Sequence, residues 1–158
     1  MRTLNPAILS IVTLLAIGAC AGDETTGTQR VEIAGETFTL ELALTRRAQH
    51  RGLSGRDHIP ADGGMLFVFP YEEQRYFVMR DCLVPIDIIF LNPAGRVMNS
   101  HAMAVEPPDT PERQLKRYPS DGPTSLAIEL AGGTVARLGV EPGDTVELPV
   151  LELKRRAR

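Results

Sequence analysis

The chain has 158 residues, of which 43% are hydrophobic and 23% are charged, so it has room for one domain of ordinary soluble composition. Its formal net charge of -3 gives no electrostatic basis for nucleic-acid binding, because that function depends on a clustered basic surface. Fourteen glycines and twelve prolines favour frequent turns and disfavour long helices.

The first twenty residues have the pattern of an export signal. Arg2 precedes an uncharged apolar run that ends in the sequence IGAC at positions 17–20, and this run is too short to span a bilayer comfortably. An aliphatic residue, two small residues and a cysteine resemble the lipobox of bacterial lipoproteins, whose cysteine carries lipid. We therefore expect residues 1–19 to be a cleaved signal peptide and Cys20 to be a lipid anchor to the membrane. The alternative is an ordinary cleaved signal that ends near a cysteine.

The rest of the chain then divides into a tether, a domain and a tail. Residue 21 is alanine rather than aspartate, and by the sorting rule for lipoproteins of two-membrane bacteria this predicts an exported protein on the outer membrane, facing the periplasm. We expect a flexible polar tether over residues 20–29, one folded domain over residues 30–151 and a solvated basic tail over residues 152–158.

The first half of the domain reads as strands with one short helix. Apolar residues alternate on either side of the turn at Ala34-Gly35, which predicts a hairpin. Thr45 is a candidate N-cap for a helix of two turns that closes at Gly52. The runs MLFVF and QRYFVM predict two further strands, paired through the polar turn YEE.

The second half predicts more strands and one long loop. The segments are a strand in IDIIFL (86–91), a returning strand in 96–105, a proline-rich surface loop in 106–123, a strand in TSLAIELA (124–131), a short helix or turn in 132–140 and a last strand in DTVELPVLEL (144–153). The predicted fold class is mainly β, a β-rich α+β domain of seven or eight mostly antiparallel strands with one or two short helices. A small closed or nearly closed barrel is the preferred architecture because it leaves few strand edges.

Asp87 is the one polar residue in the apolar segment IDIIFL. A buried carboxylate must find hydrogen-bond donors or lose its charge, because its desolvation costs several kcal/mol. In a structural interpretation, Asp87 accepts backbone N–H bonds from the preceding loop RDCLVP. In a functional one, it is a site carboxylate at the floor of a cavity.

Glu129 alternates with Leu126 and Ile128, so it points either to solvent or to the lumen of a barrel. If it shared an interior with Asp87, the two carboxylates could form a pair for acid–base catalysis. Cys82 is the only cysteine besides Cys20, and a buried small residue is a commoner role for it than a nucleophile with His101 as base. The spacing of the histidines predicts no metal site, and no cofactor motif is present.

Several segments in series resemble the domain-of-unknown-function 192 family over residues 31–149. They are RRAQHRGLSGR, GGMLFVFP, RYFVMRDCLVPIDIIFL and LAIELAGGTVARLGVEPGDTVEL. The resemblance implies a compact, β-rich and often exported domain, and it implies no established activity. Where the family pattern reads Phe-Trp-Met-Lys-Asn-Thr, this chain has FVMRDC at residues 77–82, which puts a shared ligand in doubt.

Three functions remain open from the sequence. The first is a lipid-anchored module that binds a small envelope ligand in a cavity; its candidate residues are Met79, Arg80, Asp81, Cys82, Asp87 and Glu129. The second is a structural envelope lipoprotein without a ligand. The third is a hydrolase or carbohydrate-acting enzyme that uses Asp87 and Glu129, although no nucleophile and base are recognisable and no catalytic residue is assigned.

Overall fold

The computed structural model describes residues 27–157, which form one open sheet of six strands with short helices packed against it. The strands are β1 (Thr28–Ile33), β2 (Glu36–Ala43), β3 (Gly63–Phe77), β4 (Ile86–Leu91), β5 (Val97–Met103) and β6 (Tyr118–Ala131). The helices are α1 (Arg46–Arg51), α2 (Thr134–Leu138) and α3 (Val150–Arg156), with a 3-10 turn at Glu112–Gln114. In space the strands follow the order β1-β2-β3-β6-β4-β5.

The mainly β class is confirmed, but the preferred architecture, a closed or nearly closed barrel, does not form, because the sheet is open. Strands β1 and β5 are its outer strands, and all neighbouring pairs are antiparallel except β2 and β3, which run parallel. The sheet buries its apolar residues without closing, because separate segments of the chain cover each of its faces.

The predicted strand number was too high for two reasons. The runs MLFVF and QRYFVM belong to the single strand β3, which continues through the polar YEE segment with an irregular register between Val68 and Glu73. In the segment predicted as the last strand, Thr145 makes an isolated bridge to Arg96, and α3 begins at Val150. The predicted loop over 106–123 is shorter than expected, since β6 already begins at Tyr118.

The predicted hairpin and the predicted start of α1, which depend on residues close together in the sequence, are both confirmed. The predicted hairpin forms, with Val31 opposite Phe38 across the Ala34-Gly35 turn. Helix α1 begins as predicted, because the Thr45 hydroxyl accepts a hydrogen bond from the Ala48 backbone N–H at 3.2 Å. It ends at Gly52, whose N–H donates to the Ala48 carbonyl.

The sheet separates two hydrophobic cores. The first core joins Ile89, Ile128 and Leu130 to residues of β1 and β2 and to Leu153 of α3. Leu153 is fully buried, so the basic tail predicted from residue 152 lies in part within a packed helix.

The second core lies on the other face of the sheet. It joins Phe67 and Ile88 to Leu53 after α1, to Met79 and to Cys82. Residues of β4 alternate between the two cores, which explains why all six are buried.

Within residues 27–157 no helix has the length and apolar character needed to cross a membrane. The predicted signal peptide, Cys20 and most of the predicted tether lie outside the described residues.

Candidate functional site

Glu129 is a buried acid in the second core. It lies on β6, opposite Met65 of β3 and Ile88 of β4, and only 5% of its surface is exposed. Burial raises its pKa from the usual 4.5 to about 8, although the Leu53 backbone N–H and the charge of Arg56 oppose this shift. At neutral pH the Glu129 carboxyl group is therefore mainly protonated.

One oxygen of this carboxyl group lacks a partner. Glu129 Oε2 is buried and makes no hydrogen bond, while the Leu53 backbone N–H lies close enough to the carboxyl group to lower its pKa. In the neutral acid one of the two oxygens carries a hydroxyl proton, which is a hydrogen-bond donor. The site thus contains a buried polar atom without a partner, which is uncommon because nearly all buried polar groups are hydrogen-bonded.

Glu129 lines a cavity of about 340 Å³ between the sheet and the α1 segment. Its floor is formed by Glu129 and Phe67, which are almost fully buried. Phe77 packs edge-on against Phe67 with ring centroids 5.0 Å apart, and Phe69 lies 6.4 Å from Phe77. The cavity therefore combines aromatic walls with a single orphaned polar atom, a composition typical of small-molecule sites.

Gly52 keeps the space beside the orphaned oxygen open. A Cβ atom at this position would lie 3.3 Å from Glu129 Oε2 and 3.4 Å from Phe67 Cζ. Its φ of 53° also lies in the left-handed region that favours glycine. The glycine that ends α1 thus leaves room for a small group to reach Glu129.

Two of the three arginines that line the cavity, Arg75 and Arg80, are already paired. Arg75 forms an ion pair with Glu73, and its guanidinium lies 3.8 Å from the centre of the Phe69 ring. Arg80 is ion-paired with Glu112 and also reaches the His50 carbonyl at 3.4 Å. These contacts hold both side chains in place and offset much of their positive charge.

A second cavity of about 420 Å³ adjoins the first. Met79, Arg80, Asp81 and Cys82 all line it, together with residues of the proline-rich loop, and Arg80 and Cys82 line both cavities. The Ser54 hydroxyl ties the two regions together by donating to the Arg80 carbonyl at 2.7 Å. Five of the six predicted site residues, all except Asp87, therefore lie around these two adjacent cavities.

Cys82 has the properties of a core thiol. Burial and the nearby Glu129 raise its pKa from 9.0 to about 11, so very little thiolate forms at neutral pH. Its sulfur donates to the Arg80 carbonyl at 3.4 Å. His101 instead contacts the Pro119 carbonyl and the rings of Phe90 and Tyr118, so the structure gives no support to His101 as a base for Cys82.

Asp87 does not belong to this site, and three expectations about it need correction. It pairs with Leu130, whereas Glu129 pairs with Ile88, so the two carboxyl groups point to opposite faces of the sheet and cannot act as a pair. It is not the floor of either cavity. Its donor is not in the preceding loop: Asp87 Oδ2 accepts from the Val135 backbone N–H of α2 at 2.8 Å.

Sequence reasoning missed the residues that build most of the cavity. Gly52, Phe67, Phe69, Arg75 and Phe77 all line it, yet their patterns predicted only a helix end and core strands. Among residues 27–157, no group of three or more His, Cys, Asp or Glu side chains is placed to hold a metal ion.

Solved structures of two proteins are similar to this chain. One, from Sinorhizobium meliloti 1021 and provisionally described as a transcription regulator, is 30% identical with a TM-score of 0.65, and the match covers 75% of this chain and 89% of that one. The other, a protein of unknown function from Novosphingobium aromaticivorans DSM 12444, is 34% identical with a TM-score of 0.67, covering 84% and 91%.

Comparison with the curated proteins gave no match. The family model DUF192, described as an uncharacterized ACR, matches residues 29–148, which include both cavities, the paired strands and α2. The chain therefore belongs to the DUF192 family.

Proposed function

We propose that this protein binds a small molecule of the cell envelope in the Glu129 cavity. One observation carries the proposal: Glu129 Oε2 is buried and without a partner, and its residue lines a cavity with aromatic walls. A buried polar atom without a hydrogen bond costs about 1–3 kcal/mol. A residue with only a structural role at this position could be apolar, whereas a ligand that bonds to Oε2 would remove the cost.

The proposed setting is the periplasmic face of the outer membrane, with Cys20 as the lipid anchor. It is supported by the sequence at positions 17–21 and by the polar stretch that follows it. The first described strand begins at Thr28, so seven residues separate the proposed anchor from the sheet.

Ligand binding can be tested with the full chain in lipid nanodiscs. Thermal unfolding is measured with a library of small envelope metabolites for the wild type, for Glu129→Met and for the control Glu32→Gln. Methionine approximates the shape of glutamate without its oxygens, and Glu32 is an exposed residue of β1. A ligand should raise the melting temperature of the wild type and the control but not that of Glu129→Met.

The proposal fails if no compound raises the melting temperature of the wild type. It also fails if every compound that does so raises the melting temperature of Glu129→Met equally. The first outcome would favour the structural lipoprotein without a ligand.

The anchor has a separate test in growing cells. Labelled palmitate should appear in the wild type and in Glu32→Gln but not in Cys20→Ser, and only Cys20→Ser should leave the membrane fraction. A Cys20→Ser protein that stayed with the membrane would refute lipid anchoring through this residue.

A further inference from the structure

We infer that the ligand of the Glu129 cavity is a molecule that offers a hydrogen-bond-accepting oxygen, such as a carbonyl, on a compact apolar body. This inference rests on the proposed binding function and deepens it by naming the ligand class. It follows from the donor in the cavity floor, from the walls and from the charges around them.

The donor defines the polar end of the ligand. Glu129 Oε2 is buried and has no hydrogen-bond partner. The raised pKa of Glu129, about 8, means that its carboxyl group holds a hydroxyl proton at neutral pH. A carbonyl, ester or amide oxygen accepts such a proton, whereas an ammonium group cannot.

The walls define the rest of the ligand. Phe67, Phe69 and Phe77 line the cavity beside Glu129, and the Arg75 guanidinium covers the Phe69 ring, so a non-polar body can pack on the rings of Phe67 and Phe77. The volume of about 340 Å³ lies at the lower end of the range for small-molecule pockets, roughly 300–1,000 Å³. A compact ligand therefore fits this cavity.

The surrounding charges disfavour a cation. The positive charge of Arg56 acts on Glu129 and opposes a second positive group, although Glu41 pairs with Arg56 and offsets part of that charge. The Phe69 ring face, which could stack on a cation, already carries the Arg75 guanidinium.

Two of the three cavity arginines offer little free charge to an anion, because Arg75 and Arg80 are engaged by Glu73 and Glu112, and Arg51 is the third. The neutral Glu129 carboxyl group adds no charge to attract an ion. A neutral ligand leaves all of these pairs intact.

The pH dependence of binding follows from Glu129 and has few competing sources. The other titratable or charged residues that line the cavity, from α1, β3 and the loop after β3, are His50, Arg51, Glu73, Arg75, Tyr76, Arg80 and Cys82. The pKa of Cys82 is raised to about 11. A loss of affinity between pH 7 and 9 that is absent from a Glu129 variant therefore reports the Glu129 proton.

Two probes of similar shape test the ligand class on the full chain in nanodiscs. Benzyl methyl ketone carries only an acceptor oxygen, and 2-phenylethylamine carries an ammonium group. Binding is measured by ligand-observed NMR at pH 7 and pH 9 for the wild type, Glu129→Gln, Glu129→Met and the surface control Glu32→Gln. Glutamine keeps an oxygen for the Leu53 N–H and an N–H donor for the ligand, but it does not titrate.

We expect the ketone to bind the wild type and Glu32→Gln about tenfold more weakly at pH 9 than at pH 7, as the fraction of protonated Glu129 falls. It should bind Glu129→Gln equally at both pH values, and Glu129→Met at least about tenfold more weakly than Glu129→Gln at pH 7.

Two results would overturn the inference, and they are distinguishable. If the amine binds in place of the ketone, more tightly at pH 9, and Glu129→Gln loses it, the cavity is a cation site and the proposed binding function survives. If neither probe binds, or if Glu129→Met binds the ketone as well as the wild type does, both the ligand class and the proposed function of this cavity fail.

Discussion

Replacing Glu129 with glutamine should stabilise the folded protein at neutral pH and leave it nearly unchanged in acid. Glu129 is 5% exposed and lies between Met65 and Ile88 in the second core. Its ionised form has little solvation there. Glutamine preserves the shape and the bond to Leu53 while removing the ionisable proton.

The magnitude follows from the linkage between proton binding and folding. The pKa of Glu129 rises from 4.5 to about 8 on folding, so between these pH values the folded state holds a proton that the unfolded state has released. The free energy of unfolding therefore falls with rising pH by about 1.4 kcal/mol per unit. Below pH 4.5 both states are protonated and the penalty vanishes, whereas at pH 7 it amounts to about 3 kcal/mol.

The assay is urea unfolding of the full chain, followed by circular dichroism at pH 4, 5.5 and 7. The difference in unfolding free energy between Glu129→Gln and the wild type should be close to zero at pH 4. It should grow by about 1.4 kcal/mol for each pH unit above 4.5. The control Glu32→Gln, at an exposed position on β1, should show no comparable growth.

A constant difference across this pH range would refute the reasoning, because it would mean that Glu129 keeps its ordinary pKa in the folded protein. A Glu129→Gln variant that is less stable than the wild type at pH 7 would show that the charged carboxylate has a stabilising partner.

The remaining predictions concern other buried groups and use urea unfolding unless stated. Asp87→Asn should cost about 1–2 kcal/mol, because the Val135 N–H at the start of α2 loses a charged acceptor; a cost below about 0.5 kcal/mol would contradict this cap. Gly64→Ala should lower the free energy of unfolding by more than about 3 kcal/mol, because its Cβ would lie 2.3 Å from the Glu129 carbonyl oxygen and the φ of Gly64 is 150°. A mild effect would mean that β3 and β6 can separate here. Cys82, with a pKa raised from 9.0 to about 11, should react with iodoacetamide about 100-fold more slowly than a peptide thiol at pH 8, as followed by mass spectrometry; equal rates would place its thiolate in solvent.

The sequence predicted elements well where local chemistry determines them. The β1–β2 turn and the Thr45 cap depend on residues within a few positions of each other, and both were recognised. The donor to Asp87 lies 48 residues further along the chain, in α2. The apolar neighbours of Asp87 in the sequence indicate that it is buried. Its hydrogen-bond donor depends on the strand order, however, and the periodicity of a single sequence does not encode that order.

The environment of Glu129 shows what periodicity left undecided. The alternation correctly placed Glu129 on the face opposite Leu126 and Ile128, but it could not tell whether that face meets solvent. A clue lay in the run MLFVF, whose apolar residues point to both sides of β3 and so predict that both faces are covered. Since β6 lies beside β3, the face of Glu129 is covered too.

The closed barrel failed for a related reason. It was preferred because closure removes strand edges, but the chain ends its sheet with the two edge strands β1 and β5 and covers both faces instead. The YEE segment of β3 reads as a turn by composition, yet it remains extended because β6 continues to pair with β3 beyond the irregular register. Pairing with a distant strand overrides local propensity here.

The two buried carboxyl groups of β4 and β6 carry different physical consequences. Asp87 is 2% exposed and has a backbone donor at 2.8 Å, so the fold alone explains it. Glu129 is almost as deeply buried, but one of its oxygens has no partner, and its charged form opposes folding. An acid that weakens the fold at neutral pH and faces a cavity lacks the structural explanation that Asp87 has, and this contrast is the basis of our proposal that a bound molecule completes its hydrogen bond.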